Sequence, residues 1–193
     1  MSISLEKGQK VSLTKESANL SQIFMGLGWD VAKKGGFLSG LLGGSDEIDL
    51  DASCLVFDEA GELIDVIFYN NLNGVGGLIV HTGDNRTGEG DGDDEAIIVN
   101  LDQMPSEIKS LVFIVSSYEG HTFDQIANAY CRVVENRTGR ELVRYDISDS
   151  GRHTGMIMSR IYRHNGEWKI HAIGNPANGR TPIDMVPAVV ASL

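Results

Sequence analysis

A chain of 193 residues, 41% hydrophobic and 22% charged, can bury one sizeable core and is too apolar to be disordered as a whole. A formal charge of −11 makes nucleic acid a poor partner, since a polyanion is gripped by basic surface. No apolar run approaches the roughly 20 residues of a membrane span, and the opening MSISLEKGQKVSL lacks the regions of a secretory signal, so the sequence reads as one cytoplasmic domain over 1–193 without direct membrane insertion.

In chain order the sequence predicts strands at 10–13, 23–29, 51–57, 64–69, 78–82, 96–100, 110–117, 129–134, 141–147, 155–164 and 168–173. These runs are short, rich in Val, Ile, Phe and Tyr, and broken about every ten residues by Gly, Asn or Asp. That rhythm predicts a mainly all-β fold, an antiparallel two-sheet β-sandwich with a few short helices and acidic metal-binding loops. Asn165-Gly166, between RIYRH and EWKIHAIG, predicts a hairpin with a type I′ turn. Helical signals are confined to one turn at 105–109, a short helix at 122–129 and a C-terminal helix at 183–193, which Pro187 weakens. The Gly-rich, apolar 33–45 stretch reads as an inserted mobile loop. Trp29 in GLGWD reads as a core aromatic. Cys54 and Cys131, in the apolar runs ASCLVF and AYCRVV, read as buried free thiols of a reducing compartment.

The charge is local. Segment 84–95 holds six carboxylates against Arg86, a net of −5, and segment 46–51 holds four, so together they carry −9 of the −11. Neighbouring carboxylates repel one another and resist losing water, so the crowding points to a bound cation. In Asp49-Leu50-Asp51 the two acids lie two residues apart. On an extended strand they share a face, while Leu50, Ala52, Cys54 and Val56 turn inward. In GDNRTGEGDGDDE, Gly83, Gly88, Gly90 and Gly92 permit the bends that aim several oxygens at one point. Asp84, Asn85, Asp91, Asp93, Asp94 and Glu95 supply side-chain oxygens, and Asn70 and Asn71, at a strand end, add amide oxygens. Arg86 is expected to pair with a carboxylate that the metal leaves over.

Oxygen ligands in this number on a glycine frame suit calcium. Magnesium prefers rigid octahedral geometry with few carboxylates, and zinc or copper prefer His or Cys. The excess charge predicts two Ca²⁺ ions. An EF-hand is excluded, because Arg86 stands at the third loop position and Glu89 where glycine is required. No nucleophile elbow, Walker lysine or Cys–His arrangement is present, so the reading is a binding module and not an enzyme. The rival is a divalent-metal-dependent phosphoryl or phosphodiester-processing enzyme using the Asp cluster, which would need Mg²⁺ or Mn²⁺ and open coordination positions.

The segments SLEKGQKVSL (4–13), MGLGWD (25–30), DLDAS (49–53), FYNN (68–71), HTGDNRTGEGDGDDE (81–95) and YRHNGEWK (162–169) resemble the TerD-type tellurium-resistance and stress-protein family. The resemblance implies a β-sandwich with calcium-binding acidic loops at one edge. It implies a bacterial cytoplasmic protein tied to tellurite resistance and to chemical or phage stress, with other tellurium-resistance proteins and a membrane-associated complex as partners. It also implies that the backbone carbonyls of Gly88 and Gly90 join the site, beside Asp49, Asp51, Asn70, Asn71, Asp84, Asn85, Asp91, Asp93, Asp94 and Glu95. The longer apolar 33–45 stretch departs from the family pattern.

Overall fold

The computed structural model describes residues 2–31, 48–83, 92–147 and 149–193. Along these, the strands are β1 (Ile3–Ser4), β2 (Lys10–Ser12), β3 (Gln22–Val31), β4 (Asp51–Asp58), β5 (Leu63–Ile67), β6 (Asn73–Gly74), β7 (Ile79–His81), β8 (Glu95–Asn100), β9 (Ile108–Ser116), β10 (Ile126–Glu135), β11 (Arg140–Asp146), β12 (Gly155–His164) and β13 (Glu167–Ala177). Two α-helices are described, α1 (Leu13–Glu16) and α2 (Pro182–Val190). One sheet runs β1-β11-β10-β3-β8-β7-β6 and the other β2-β13-β12-β9-β4-β5. All eleven expected strands are present. The two-residue β1 and β6 are too short to carry a strand signal in the sequence. Pairing among the described strands is antiparallel except for β1 on β11, which is parallel.

Alternation along β4 explains why it is buried on both faces. Ala52, Cys54 and Val56, with Leu50 just before them, enter the core between the sheets, as the sequence predicts. Leu55 and Phe57 point outward instead. There they join Val112, Ile114 and Ile157 in a second apolar cluster, closed by Met185 and Val189 of α2. The helix therefore covers the outer face of the second sheet, and β4 is held between two cores.

The expected turns and helices resolve unevenly. Asn165 and Gly166 have φ of 52° and 76°, the two positive values of a type I′ turn, between β12 and β13. Residues 105–109 do not form a helical turn. Ile108 donates its N–H to the Pro105 carbonyl at 3.1 Å and β9 begins there. The expected helix at 122–129 stops after one 3₁₀ turn, Phe123–Gln125, capped reciprocally by Thr122 and Gln125. Ile126 and Ala127 then pair with Val31 and Asp30 of β3, so sheet pairing overrides the helical spacing. The C-terminal helix starts one residue earlier than expected and ends at Val190. It tolerates the internal Pro187 because Thr181 and Asp184 cap its start and Met185 and Val189 are fully buried.

Because α2 is fastened chiefly by these two side chains, Met185→Ala is expected to destabilise the protein by about 2–5 kcal/mol, the usual cost of truncating a buried methionine. Chemical denaturation followed by circular dichroism reads this directly. A loss below about 1 kcal/mol would mean that the helix does not close the second cluster.

Candidate functional site

The described parts of the two acidic segments, residues 48–51 and 92–95, meet at one end of the sandwich. Asp51 begins β4 opposite Ser116 of β9, and Ser116 stands opposite Gly155, the first residue of β12. Glu95 begins β8 opposite Leu27 of β3 in the other sheet. The Asn165-Gly166 hairpin lies at the far end of β12, so the acids and that turn occupy opposite ends.

Glu95 is the link between the sheets. Its side chain is 1% exposed, and its Oε2 accepts the Ala52 N–H at 2.6 Å. The β5 ladder on β4 begins only at Cys54, opposite Ile67. Ala52 lies past the end of β5, and there the carboxylate takes the place of a strand carbonyl. His81, the last residue of β7, completes the substitution. Its Nε2 lies 3.2 Å from the Ala52 carbonyl and 3.4 Å from Glu95 Oε2. The Gly83 N–H donates to His81 Nδ1 at 3.1 Å, which assigns the ring proton to Nε2.

Asp94 repeats the device on β3. Its N–H donates to the Leu27 carbonyl at 2.8 Å, and its Oδ2 accepts the Trp29 N–H at 2.8 Å. Burial pushes the Asp94 carboxyl above its ordinary range. The Trp29 N–H works against this shift, and the charges of Asp30, Asp93 and Glu95 add to it. Trp29 itself is a core aromatic, as expected, with its indole N–H directed to the Ile48 carbonyl at 3.4 Å. Asp93 faces the outer side of the first sheet. Arg132 Nε donates to Oδ1 at 2.8 Å and its Nη2 to Oδ2 at 2.9 Å, while the Tyr130 hydroxyl lies 3.0 Å from Oδ1. This pairing raises the pKa of the Arg132 guanidinium, and burial followed by the Asp93 charge pushes the Tyr130 phenol to about 12.

Asp51 is 4% exposed and Asp49 half-buried. Next to Asp51 on the same outer face are Ser53, two residues along β4, and Ser116, its cross-strand neighbour. Both serines are fully buried, and among the described residues neither hydroxyl has a hydrogen-bond partner. Orphaned buried hydroxyls beside a carboxylate form a hard oxygen surface, and that donor set fits calcium or its water. Asn71 directs its Nδ2 to the Val66 carbonyl at 2.8 Å and to Asp65 Oδ1 at 3.3 Å, holding the end of β5, and Asn70 is exposed. Asp84, Asn85, Gly88, Gly90 and Asp91 lie outside the described residues, as do Arg86 and the 33–45 stretch. Among the described residues no three His, Cys, Asp or Glu side chains are disposed around one point as a metal cluster. The described part of the acidic segment thus fastens to both sheets.

Sequence reasoning missed His81, Tyr130 and Arg132. A signal for the last two existed: in NAYCRVV, Cys131 and Val133 are core residues, so Tyr130 and Arg132 share the opposite, outer face.

The chain matches the TerD domain over residues 1–181. It is 49% identical to the tellurium resistance protein TerZ of Serratia marcescens, over 99% of this chain and 98% of that protein. It is 43% identical to general stress protein 16U of Bacillus subtilis (strain 168), over 93% of each, and 41% identical to the Serratia marcescens tellurium resistance protein TerD, over 90% of each. A solved structure of a homologue of the telluride resistance protein TerD from Streptomyces coelicolor A3(2) has the same fold, with a TM-score of 0.66 at 20% identity over 87% of this chain and 96% of that one.

Both cysteines are free and buried, in opposite sheets. Burial pushes the Cys54 thiol far up and the Cys131 thiol to about 12. The native protein is therefore expected to resist a disulfide-exchange reagent at pH 8, with both thiols labelling only in denaturant. Rapid labelling of either thiol in the folded state would contradict this burial.

Proposed function

The chain belongs to the TerD family of tellurium-resistance and stress-response proteins, and on that premise we propose that it is a cytoplasmic calcium-binding module, not an enzyme. It takes up two Ca²⁺ ions at the acidic edge, and the ordered loops then present a surface to other tellurium-resistance proteins, within a membrane-associated complex. The observation that carries the reading is the pair of orphaned hydroxyls, Ser53 and Ser116, beside Asp51 at the end where the described parts of the two acidic segments meet. Asp49 and Asp51 are the described carboxylates that would hold an ion, together with Asp84, Asn85 and Asp91 and the carbonyls of Gly88 and Gly90. Asn70 and Asn71 would contribute amide oxygens, and Asp94 and Glu95 would close the site from β8. A hard divalent ion supplies the positive charge that this cluster lacks. Direct capture of tellurite is disfavoured, since the edge is anionic and the thiols are buried.

A cation that binds only the folded state adds roughly 2.7 kcal/mol at a hundred times its dissociation constant. The melting temperature is therefore expected to rise with Ca²⁺ and fall with chelator, and Asp49→Asn with Asp51→Asn should remove most of that response. Calorimetry with Ca²⁺ and Mg²⁺, beside a phosphodiesterase assay, separates the readings. Calcium uptake without turnover supports the module. Turnover dependent on Mg²⁺ or Mn²⁺ would replace it with a metal-dependent phosphodiester enzyme, and no calcium uptake at millimolar concentration would remove the cation altogether.

A further inference from the structure

Two features remain unexplained by cation binding alone: the alternating glycines of GLGWD, and the choice of Tyr130 and Arg132 on an outer sheet face. Gly26 and Gly28 lie on β3, opposite Arg132 and Tyr130 of β10 in the ladder. A β-carbon at Gly26 would overlap the Asp93 carboxylate. One at Gly28 would lie 2.5 Å from the Tyr130 ring. Both residues are glycine for space, because something lies flat against the strand. Two groups fill that groove: the acid at the exit of the acidic segment and the ring that seats it.

The seat is built on several sides. The Tyr130 hydroxyl donates to the Gly92 carbonyl at 2.7 Å, and its ring lies under the Arg144 guanidinium, 3.7 Å from the ring centre. Arg132 grips both oxygens of Asp93 and places its Nη1 3.3 Å from Glu141 of β11. The Asp93 side chain is only 6% exposed, against 30% for Arg132. A buried carboxylate gripped by a planar two-point donor beside a phenol is positioned by both groups.

We propose that Tyr130 and Arg132, seated over Gly28 and Gly26, are positioning residues of the cation site, holding Asp93 as the anchor of the acidic segment and not as a metal ligand. This rests on the calcium reading given above and assigns a division of labour within it. Asp93 faces the outer side of the first sheet while the next two acids turn to Trp29 and Ala52, so three consecutive carboxylates fasten one short stretch to β3, β4 and β10. With Asp93 held in this way, residues 93–95 need no further ordering when an ion binds.

The sign of one substitution tests the assignment. Arg132→Met removes a positive charge from beside a cation site. If Arg132 merely competed with the metal for Asp93, calcium affinity would rise. Positioning requires a fall, roughly 10–100-fold, the range typical of outer-shell partners, with part of it restored in Arg132→Lys. Calorimetric calcium titrations of the full chain read this, beside thermal melts in chelator. Asp93→Asn is expected to lose a similar factor, and the Asp93→Asn/Arg132→Met double variant should be no weaker than the worse single variant. Tyr130→Phe keeps the ring over Gly28 and should fall between wild type and Arg132→Met, a milder variant that stays folded if the others do not. Unchanged or raised affinity in Arg132→Met overturns the assignment, as do losses that add in the double variant. If the wild type takes up no calcium, the calcium reading fails and the positioning role fails with it, whereas calcium uptake that Arg132→Met leaves unchanged overturns the positioning role alone. Additive losses in melting temperature for Asp93→Asn and Arg132→Met in chelator would overturn the anchor itself.

Discussion

The Glu95 carboxylate on the Ala52 amide is the contact on which the acidic edge depends. A strand that outlasts its neighbour leaves a backbone N–H and a carbonyl with no ladder partner, and buried groups of that kind are costly. At Ala52 both are met from the opposite sheet, the N–H by Glu95 and the carbonyl by His81. The bond therefore does two things at once. It ends β4 cleanly, and it joins the sheets at the point where the described parts of the acidic segments approach each other. The Asp94 carboxylate on the Trp29 N–H repeats the arrangement on β3, so each sheet receives one carboxylate in place of a missing strand.

Such a joint needs a rigid platform. β4 supplies it by being buried on both faces, with Cys54 and Val56 between the sheets and Leu55 and Phe57 under α2. An ordinary sandwich strand with one wet face would give Asp51 and Ser53 a solvated neighbourhood. Here the helix and the second cluster keep the outer face dry almost to the strand's end, which leaves the hydroxyls of Ser53 and Ser116 buried without partners among the described residues. A dry, oxygen-lined corner at the end of a strand is poorly satisfied by the protein alone and well satisfied by a hard ion or its water.

Much of the fold was legible because it is written locally. Alternation in ASCLVF placed Ala52, Cys54 and Val56 inward, Asn165-Gly166 marked its turn, and the strand rhythm marked the sandwich. The short helix expected at 122–129 was misread because Phe123, Ile126 and Ala127 have helical spacing, yet the partner that decides their conformation is β3, about a hundred residues away in the chain. The site was legible only as a composition. That Asp93, Asp94 and Glu95 cluster is plain in the sequence. That one meets Arg132, one the Trp29 amide and one the Ala52 amide is decided by contacts 39, 65 and 43 residues apart. Three adjacent acids look alike in sequence, and only their distant partners tell them apart.

Those partners also change the electrostatic account of the edge. Hydrogen bonds from backbone amides hold the Asp94 and Glu95 carboxylates without bringing a full countercharge to them. Only Arg132 brings a countercharge among the partners described, and it offsets one unit of the nine that the two segments carry. The described partners therefore organise these acids while supplying little countercharge. A loop meant only to be solvated gains nothing from committing three of its carboxylates to distant partners. A loop meant to receive an ion gains a fixed geometry and keeps the field that attracts it.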